Sequence, residues 1–290
     1  MNNIVYEKSE PFNFCGLDNQ TFAEAKVVVF PVPYSSTTYW NPNTKDGPRA
    51  LIEASRHLEL FDQELQKDTS QVGIFTLDPI SLSKNAPKEA LEQIKDVVEQ
   101  ILTVGKFPLV LGGEHSISYG TVAAATEKYQ NLSVLQLDAH SDSRSAFEGT
   151  KYHHGTVVRR IIEDLKLPVT QVGVRSISQE EWEYIEKSCE KDIFFAPELP
   201  IKEIVSTLND NVYLSFDLDF LDPSIMPATG TPEPGGFSFY QALELLKTVA
   251  RENNIVGADI LELSPLPGVS APDFLAAKLA YKIIGYATGR

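Results

Sequence analysis

Cysteine is nearly absent. The chain holds two, Cys15 and Cys189, far apart in sequence. They make neither a metal motif nor a disulfide framework, and such usage points to a reducing compartment. Long apolar runs are missing as well. None approaches eighteen residues, which excludes a transmembrane helix, and the opening "MNNIVYEKSEPFNF" has no apolar core of a signal peptide. The expectation is a cytoplasmic protein with no membrane partner. Positive charge is also in deficit. A formal net charge of −15 leaves no electrostatic footprint for nucleic acid or an anionic membrane, but it suits a cationic small molecule. Nothing resembles an internal repeat, a low-complexity tract or a proline-rich linker.

What remains is an ordinary globular composition, 42% hydrophobic and 22% charged over 290 residues, long enough to bury a core without staples. Short apolar, β-branched runs recur at 26–32, 107–113, 133–138, 171–175, 192–196, 212–217 and 255–261. Most do not alternate polar with apolar, as expected of strands buried on both faces of a parallel sheet. Helical patterns separate them. In 87–106, Leu91, Ile94, Val98, Ile101 and Leu102 repeat at helical spacing, and Gly105 is placed to end the helix. Ser178 with Glu181, and Ser238 with Gln241, have capping-box spacing, and 271–290 reads as a last amphipathic helix. The reading is a single-domain α/β fold: three layers, with helices on both faces of a mainly parallel sheet. Residues 1–25 are expected to form an N-terminal arm and residues 26–290 the single domain.

Ligands of open α/β sheets bind outside the carboxyl ends of the strands. Four apolar runs end there in ionisable residues: Glu114 and His115; Asp138, His140 and Asp142; Asp217 and Asp219; and Glu262. Each alone has a bland explanation. "DAH" and "DLD" are ordinary polar turns, "LGGEH" closes a strand, and a single histidine is commonly a core hydrogen-bonder. Their coincidence is what carries weight. Four crowded aspartates cannot all stay ionised without a compensating cation. In extended backbone, alternate residues share a face, so Asp138, His140 and Asp142 can converge, and so can Asp217 and Asp219. Two histidines with four aspartates suit a first-row ion such as Mn²⁺. The set is too large for one ion, and carboxylate bridging makes a pair about 3.5 Å apart the natural occupancy.

Together "GGEHS" (112–116), "DAHSD" (138–142) and "SFDLDFLDP" (215–223), with "MPATGTPEPGG" (226–236), "GADILELSP" (257–265) and "TKDGPRALIEAS", resemble the signatures of the ureohydrolases, the arginase and agmatinase family. The resemblance implies an arginase-like sheet of about eight strands and two Mn²⁺ per chain. His115, Asp138, Asp142 and Asp217 would hold one ion, and Asp138, His140, Asp217 and Asp219 the other. It implies hydrolysis of a guanidinium group by a metal-bridging hydroxide. Asp142 would aim that nucleophile, His154 would shuttle a proton to the leaving amine, and Glu262 would grip the guanidinium. His153 is expected to be structural, Asp222 a turn anchor, and Gly112, Gly113, Gly230, Gly235 and Gly236 to let backbone pass close to the site.

The metal cluster does not select the guanidine. The loop "SRSAFEGTKYHHG" (143–155) lacks the "TSSGN" type of sequence that marks arginases, and is closer in style to agmatinases. Agmatine, giving putrescine and urea as in polyamine biosynthesis, is the expected substrate, with Glu148 or Glu233 facing its ammonium. Arg144 leaves a guanidino acid such as guanidinobutyrate open as the substrate, or else faces a subunit interface. A single-zinc deacetylase of similar fold and a non-catalytic homologue are the rival classes. The resemblance implies a homotrimer or homohexamer.

Overall fold

The computed structural model describes residues 11–38, 40–83, 86–188 and 192–289. Among the described residues there are ten strands and eight α-helices, in the order β1 (Val27–Val32), α1 (Gly47–Ser55), β2 (Phe61–Asp62), β3 (Lys67–Asp68), β4 (Ile74–Thr76), α2 (Pro87–Thr103), β5 (Phe107–Gly112), α3 (Ser118–Lys128), β6 (Leu132–Leu137), α4 (Val157–Leu165), β7 (Val169–Val174), α5 (Gln179–Ser188), β8 (Ile193–Phe195), α6 (Ile201–Ser206), β9 (Asn211–Asp217), α7 (Phe239–Glu252), β10 (Asn254–Leu261) and α8 (Ala271–Ala287). Eight strands form one sheet in the order β4-β1-β5-β10-β9-β6-β7-β8, and β2 and β3 make a small antiparallel pair. Every pairing in the large sheet is parallel.

Successive strand residues point to opposite faces, and the two faces have separate cores. Val27, Val29, Leu109, Leu111, Leu135 and Leu137 pack with residues of α1, α7 and α8. Val28, Phe30, Val110 and Val134, in the same strands, pack with α2, α3 and α4. This two-sided burial explains the continuous apolar runs: beyond their first residues, the central strands leave no position facing water. In α2, Ala90, Leu91, Ile94, Val98, Ile101 and Leu102 are all buried. Truncating Leu91 or Ile94 to alanine would cost about 2–5 kcal/mol.

Gly105 takes a φ of +77° just past α2, the left-handed conformation that stops a helix. Ser238 and Gln241 cap each other reciprocally at the start of α7. One strand of the sheet, β4, has no counterpart among the apolar runs, because three residues at an edge leave too little pattern to see. Residues 11–25, within the expected arm, are tied to the body. Phe14 is fully buried and the Cys15 N–H donates to Ser55 Oγ at 2.9 Å. Cys15 is a free thiol, while Cys189 and residues 1–10 lie outside the described residues. No helix among the described residues is long and apolar enough to cross a membrane.

Strands β5, β10, β9 and β6 are consecutive neighbours at the centre of the sheet. Because they run parallel, their carboxyl ends share one rim. That rim receives His115, Glu262, Asp217 with Asp219, and Asp138 to Asp142, in that order across the sheet.

Candidate active site and metal centre

The six expected metal ligands meet at this rim. His115 Nδ1 lies 2.9 Å from Asp138 Oδ2, 3.2 Å from Asp142 Oδ2 and 3.2 Å from Asp217 Oδ2. His140 Nδ1 lies 2.9 Å from Asp219 Oδ2 and 3.5 Å from Asp138 Oδ1. Two groups have donor atoms all within 4.8 Å of one another: His115, Asp138 and Asp142, and Asp138, His140 and Asp219. Asp138 belongs to both.

The local conformation that achieves this is not the extended chain expected from the spacing. Strand β6 stops at Leu137. Beyond it His140 makes an isolated bridge to Ser176, and Asp142 adopts a φ of +51°. A non-glycine residue in that region is strained, and this left-handed kink, not strand alternation, accompanies the return of Asp142 to Asp138. Asp219 likewise sits in a 3-10 turn, Leu218–Phe220, whose cap is Asp217: the Asp219 N–H donates to Asp217 Oδ1 at 2.9 Å. Backbone and amide donors aim the carboxylates. Asp138 accepts from His140 N at 2.6 Å and Gln136 Nε2 at 2.7 Å, and Asp219 accepts from Ala139 N at 2.9 Å. His115 Nε2 is 3.0 Å from Ser215 Oγ, which turns Nδ1 towards the carboxylates.

The electrostatics call for a cation. Asp138, Asp142, Asp217 and Asp219 are all buried. Burial, then the neighbouring charge of Asp138, pushes Asp142 well above the usual carboxylate range. Burial, then Asp219 and Asp138, does the same to Asp217. Burial alone would lower His115 and His140, but the carboxylates around them outweigh it and raise both well above an ordinary imidazole. Burial also works against ionised Asp138, yet the two histidines hold it low. His115 Nδ1 has carboxylate oxygens within 3.2 Å, yet no hydrogen bond of acceptable geometry among the described residues. Ligand atoms turned towards a common centre have this arrangement. The donor set and its burial therefore fit divalent cations.

A cavity of about 210 Å³ opens over the cluster, lined by His115, His140, Asp142, Asp217 and Asp219 and then by Glu262 and His154. Glu262 has a φ of +64°, and burial, partly offset by the His115 N–H, raises its carboxyl to about 8. Gly230 sits beside it, and a Cβ there would lie 2.7 Å from Glu262 Oε2, so the carboxylate end would have to turn away. Burial, then the adjacent His153, pushes His154 well below an ordinary imidazole. His153 is buried outside the cavity lining and caps the turn at His154–Thr156 by accepting from Gly155 N at 3.2 Å. Asp222 anchors a turn by accepting from Ser224, Gly235 and Gly236 N–H groups.

At the outer end the cavity is lined by Arg144, Phe147, Glu181 and Trp40. Arg144 stacks its guanidinium over Phe147 at 4.3 Å and places Nε 3.6 Å from Glu181 Oε2. Glu148 and Glu233 do not line the cavity. Glu148 is exposed, 3.9 Å from His153 Nε2, and Glu233 accepts from Ser176 Oγ at 3.1 Å. The carboxylate at this end is instead Glu181.

The Arginase family matches residues 25–285. The chain belongs to the arginase family. It is similar to the N(1)-aminopropylagmatine ureohydrolase of Synechocystis sp., 37% identical over 280 residues that cover 92% of this chain and 90% of that protein. It is 34% identical to the agmatinase of Bacillus anthracis over 266 residues, 90% of this chain and 88% of that one. The solved agmatine ureohydrolase of Thermoplasma volcanium superposes with a TM-score of 0.85 at 31% identity, covering 96% of this chain and 94% of its own. The protein is a ureohydrolase, a hydrolase acting on guanidino C–N bonds.

Two residues of this arginase-family site, Glu181 and Thr37, were not picked out for it by sequence, and Glu114 was marked only as an ionisable strand end. Glu181 carries a cap signal, and it does cap: Ser178 N and Oγ donate to Oε2 at 2.9 and 2.6 Å. Its second oxygen accepts from Ser143 N at 3.0 Å, which ties the loop carrying Arg144 to α5. Glu114 and Thr37 form a buried pair behind His154, with Thr37 Oγ1 donating to Glu114 Oε1 at 2.9 Å. They are 77 residues apart, and no local pattern links them.

Proposed function

We propose that this ureohydrolase hydrolyses a guanidine with a cationic tail, agmatine to putrescine and urea, using two divalent ions, manganese by the chemistry of the donors. His115, Asp138, Asp142 and Asp217 would hold one ion and Asp138, His140, Asp217 and Asp219 the other. Bound there, the ions would compensate the buried carboxylates and supply a nucleophilic water near neutral pH. The rest of the chemistry belongs to side chains of the chain. Glu262, beside Gly230, grips the guanidinium through paired charge-assisted hydrogen bonds. Asp142 accepts a hydrogen bond from the attacking water and points its oxygen at the guanidinium carbon. As the C–N bond breaks, both protons of that water end on the departing amine, one delivered by His154.

The observation that carries the choice of tail is the Arg144–Glu181 pair, 3.6 Å apart. Glu181 is 4% exposed and its charge offsets that of Arg144, so the far end of the cavity is not a carboxylate trap. A guanidino acid such as guanidinobutyrate or arginine would need Arg144 unpaired. A longer cationic tail is the second reading: relatives at 36–37% identity, above the agmatinases at 34%, are named for N(1)-aminopropylagmatine.

Urea release tests both readings, with agmatine, N(1)-aminopropylagmatine, arginine and guanidinobutyrate assayed with and without added Mn²⁺. Agmatine should exceed either acid by about tenfold or more in kcat/KM. A tenfold preference for an acid overturns the proposal, and a tenfold preference for the aminopropyl compound selects the second reading. We take the enzyme to be a cytoplasmic homotrimer or homohexamer with no nucleic-acid or membrane partner. A single-zinc deacetylase chemistry is the rival that metal analysis separates.

A further inference from the structure

We propose that Thr37, held by Glu114, sets the tautomer of His154, keeping the proton on Nδ1 and leaving Nε2 as the nitrogen that takes up and delivers protons. The inference rests on the reading of His154 as the proton carrier, but the tautomer can be observed without turnover.

A count of protons carries it. Glu114 accepts four hydrogen bonds: Ser36 N at 2.5 Å and Thr37 N at 2.7 Å to Oε2, and Thr37 Oγ1 at 2.9 Å and Ser116 Oγ at 2.6 Å to Oε1. Burial raises the Glu114 carboxyl, but four donors, two of them backbone N–H groups that cannot accept in return, work against that rise and favour the ionised form, which is an acceptor only. The single hydroxyl proton of Thr37 is thereby committed to Glu114.

Thr37 Oγ1 then has two lone pairs and no second proton. Both are used on His154. The backbone N–H of His154 donates to it at 3.2 Å, and His154 Nδ1 lies 2.9 Å away. If Nδ1 were the bare nitrogen, two acceptors would face each other at hydrogen-bond distance inside a buried site. Only Nδ1–H satisfies the contact, so the neutral ring carries its lone pair on Nε2. The ring lines the cavity, and with Nδ1 engaged at Thr37 the proton exchange falls to Nε2.

Functionally, Nε2 accepts one water proton and passes it to the leaving nitrogen as the C–N bond breaks, while Nδ1 keeps its own proton throughout. Thr37 and Glu114 are thus positioning residues. They touch neither substrate nor the reacting atoms, and they act by fixing which nitrogen does the work.

The test is ¹⁵N NMR of the full-length, metal-free protein labelled at histidine, with His154 assigned by its loss in His154→Asn. The nitrogen shifts separate a protonated from a bare ring nitrogen. His154 should show Nδ1 protonated and Nε2 bare. Thr37→Val should lose that preference and, when metal-loaded, cut kcat by roughly 10–100-fold with KM little changed. Thr37→Ser, which restores the hydroxyl, should recover both readouts. A wild-type His154 protonated on Nε2 overturns the proposal, as does a Thr37→Val enzyme with wild-type kcat and pH profile. If Thr37→Val does not fold, the wild-type spectrum still decides. Absence of urea release from every guanidine, with Nδ1–H observed, would sink the assigned reaction and leave the tautomer standing.

Discussion

His115 and Glu262 lock two neighbouring strand ends together. The His115 N–H donates to Glu262 Oε1 at 2.8 Å, and the Glu262 N–H donates to the Gly113 carbonyl at 2.8 Å. The backbone of one candidate metal ligand thus aims the carboxylate that would hold the substrate, so the cation site and the guanidinium site are set by one contact.

That contact leaves Glu262 Oε2 as the mobile end, and Gly230 is what gives it room. Gly230→Ala would bring a Cβ to 2.7 Å from that oxygen and turn the carboxylate. The expected result is a loss of roughly 10–100-fold in kcat/KM, from misplacing one grip on the substrate. Circular dichroism and metal content should be unchanged. Kinetics equal to wild type would mean that Glu262 does not hold the guanidinium.

The metal-free protein should lose stability as pH rises from 6.5 to 8. Glu262, raised by burial from an ordinary 4.5 to about 8, keeps its proton in the folded state while the unfolded chain has shed it. The folded state then binds more protons than the unfolded state, and stability falls with pH. Asp142 and Asp217, also raised, act in the same direction, as do His115 and His140, whose charged forms are favoured by folding. His153, lowered to about 4 by burial and Arg144, acts oppositely but only below 6.5. Thermal melts at fixed ionic strength check this. Mn²⁺ should flatten the slope and chelation should restore it.

Glu181→Gln should alter substrate choice more than folding. The amide oxygen can still accept one of the hydrogen bonds from Ser143 and Ser178, but the charge beside Arg144 is gone. The ratio of kcat/KM for agmatine over guanidinobutyrate should fall by about tenfold. An unchanged ratio would place the tail of the substrate away from Arg144.

Asp138→Asn should reduce urea release by more than about a thousandfold, because Asp138 belongs to both ligand groups and a neutral amide cannot compensate two cations. Turnover near wild type in that variant would contradict the ligand assignment.

Much of this architecture was legible in the sequence, for physical reasons. Strands buried on both faces, such as Val27–Val32 and Leu132–Leu137, are mostly apolar, with Ser133 and Gln136 the exceptions in the second, so they stand out as runs. Ionisable residues directly after them mark the carboxyl rim of a parallel sheet. What stayed hidden depends on contacts between distant segments. The three-residue β4 draws its identity from pairing with β1, not from its own pattern. Glu181 read as a helix cap because it is one, and only the fold shows that the same carboxylate meets Arg144. The left-handed turn at Asp142 leaves no mark in residue type, since aspartate is also common in ordinary turns.

Metal analysis of the manganese-loaded protein is the most direct check on the site. After removal of weakly held ions, two Mn²⁺ per chain should remain, with urea release rising as the second is taken up. A single tightly bound zinc per chain, or full turnover with no metal bound, would contradict a binuclear centre built by His115, Asp138, His140, Asp142, Asp217 and Asp219.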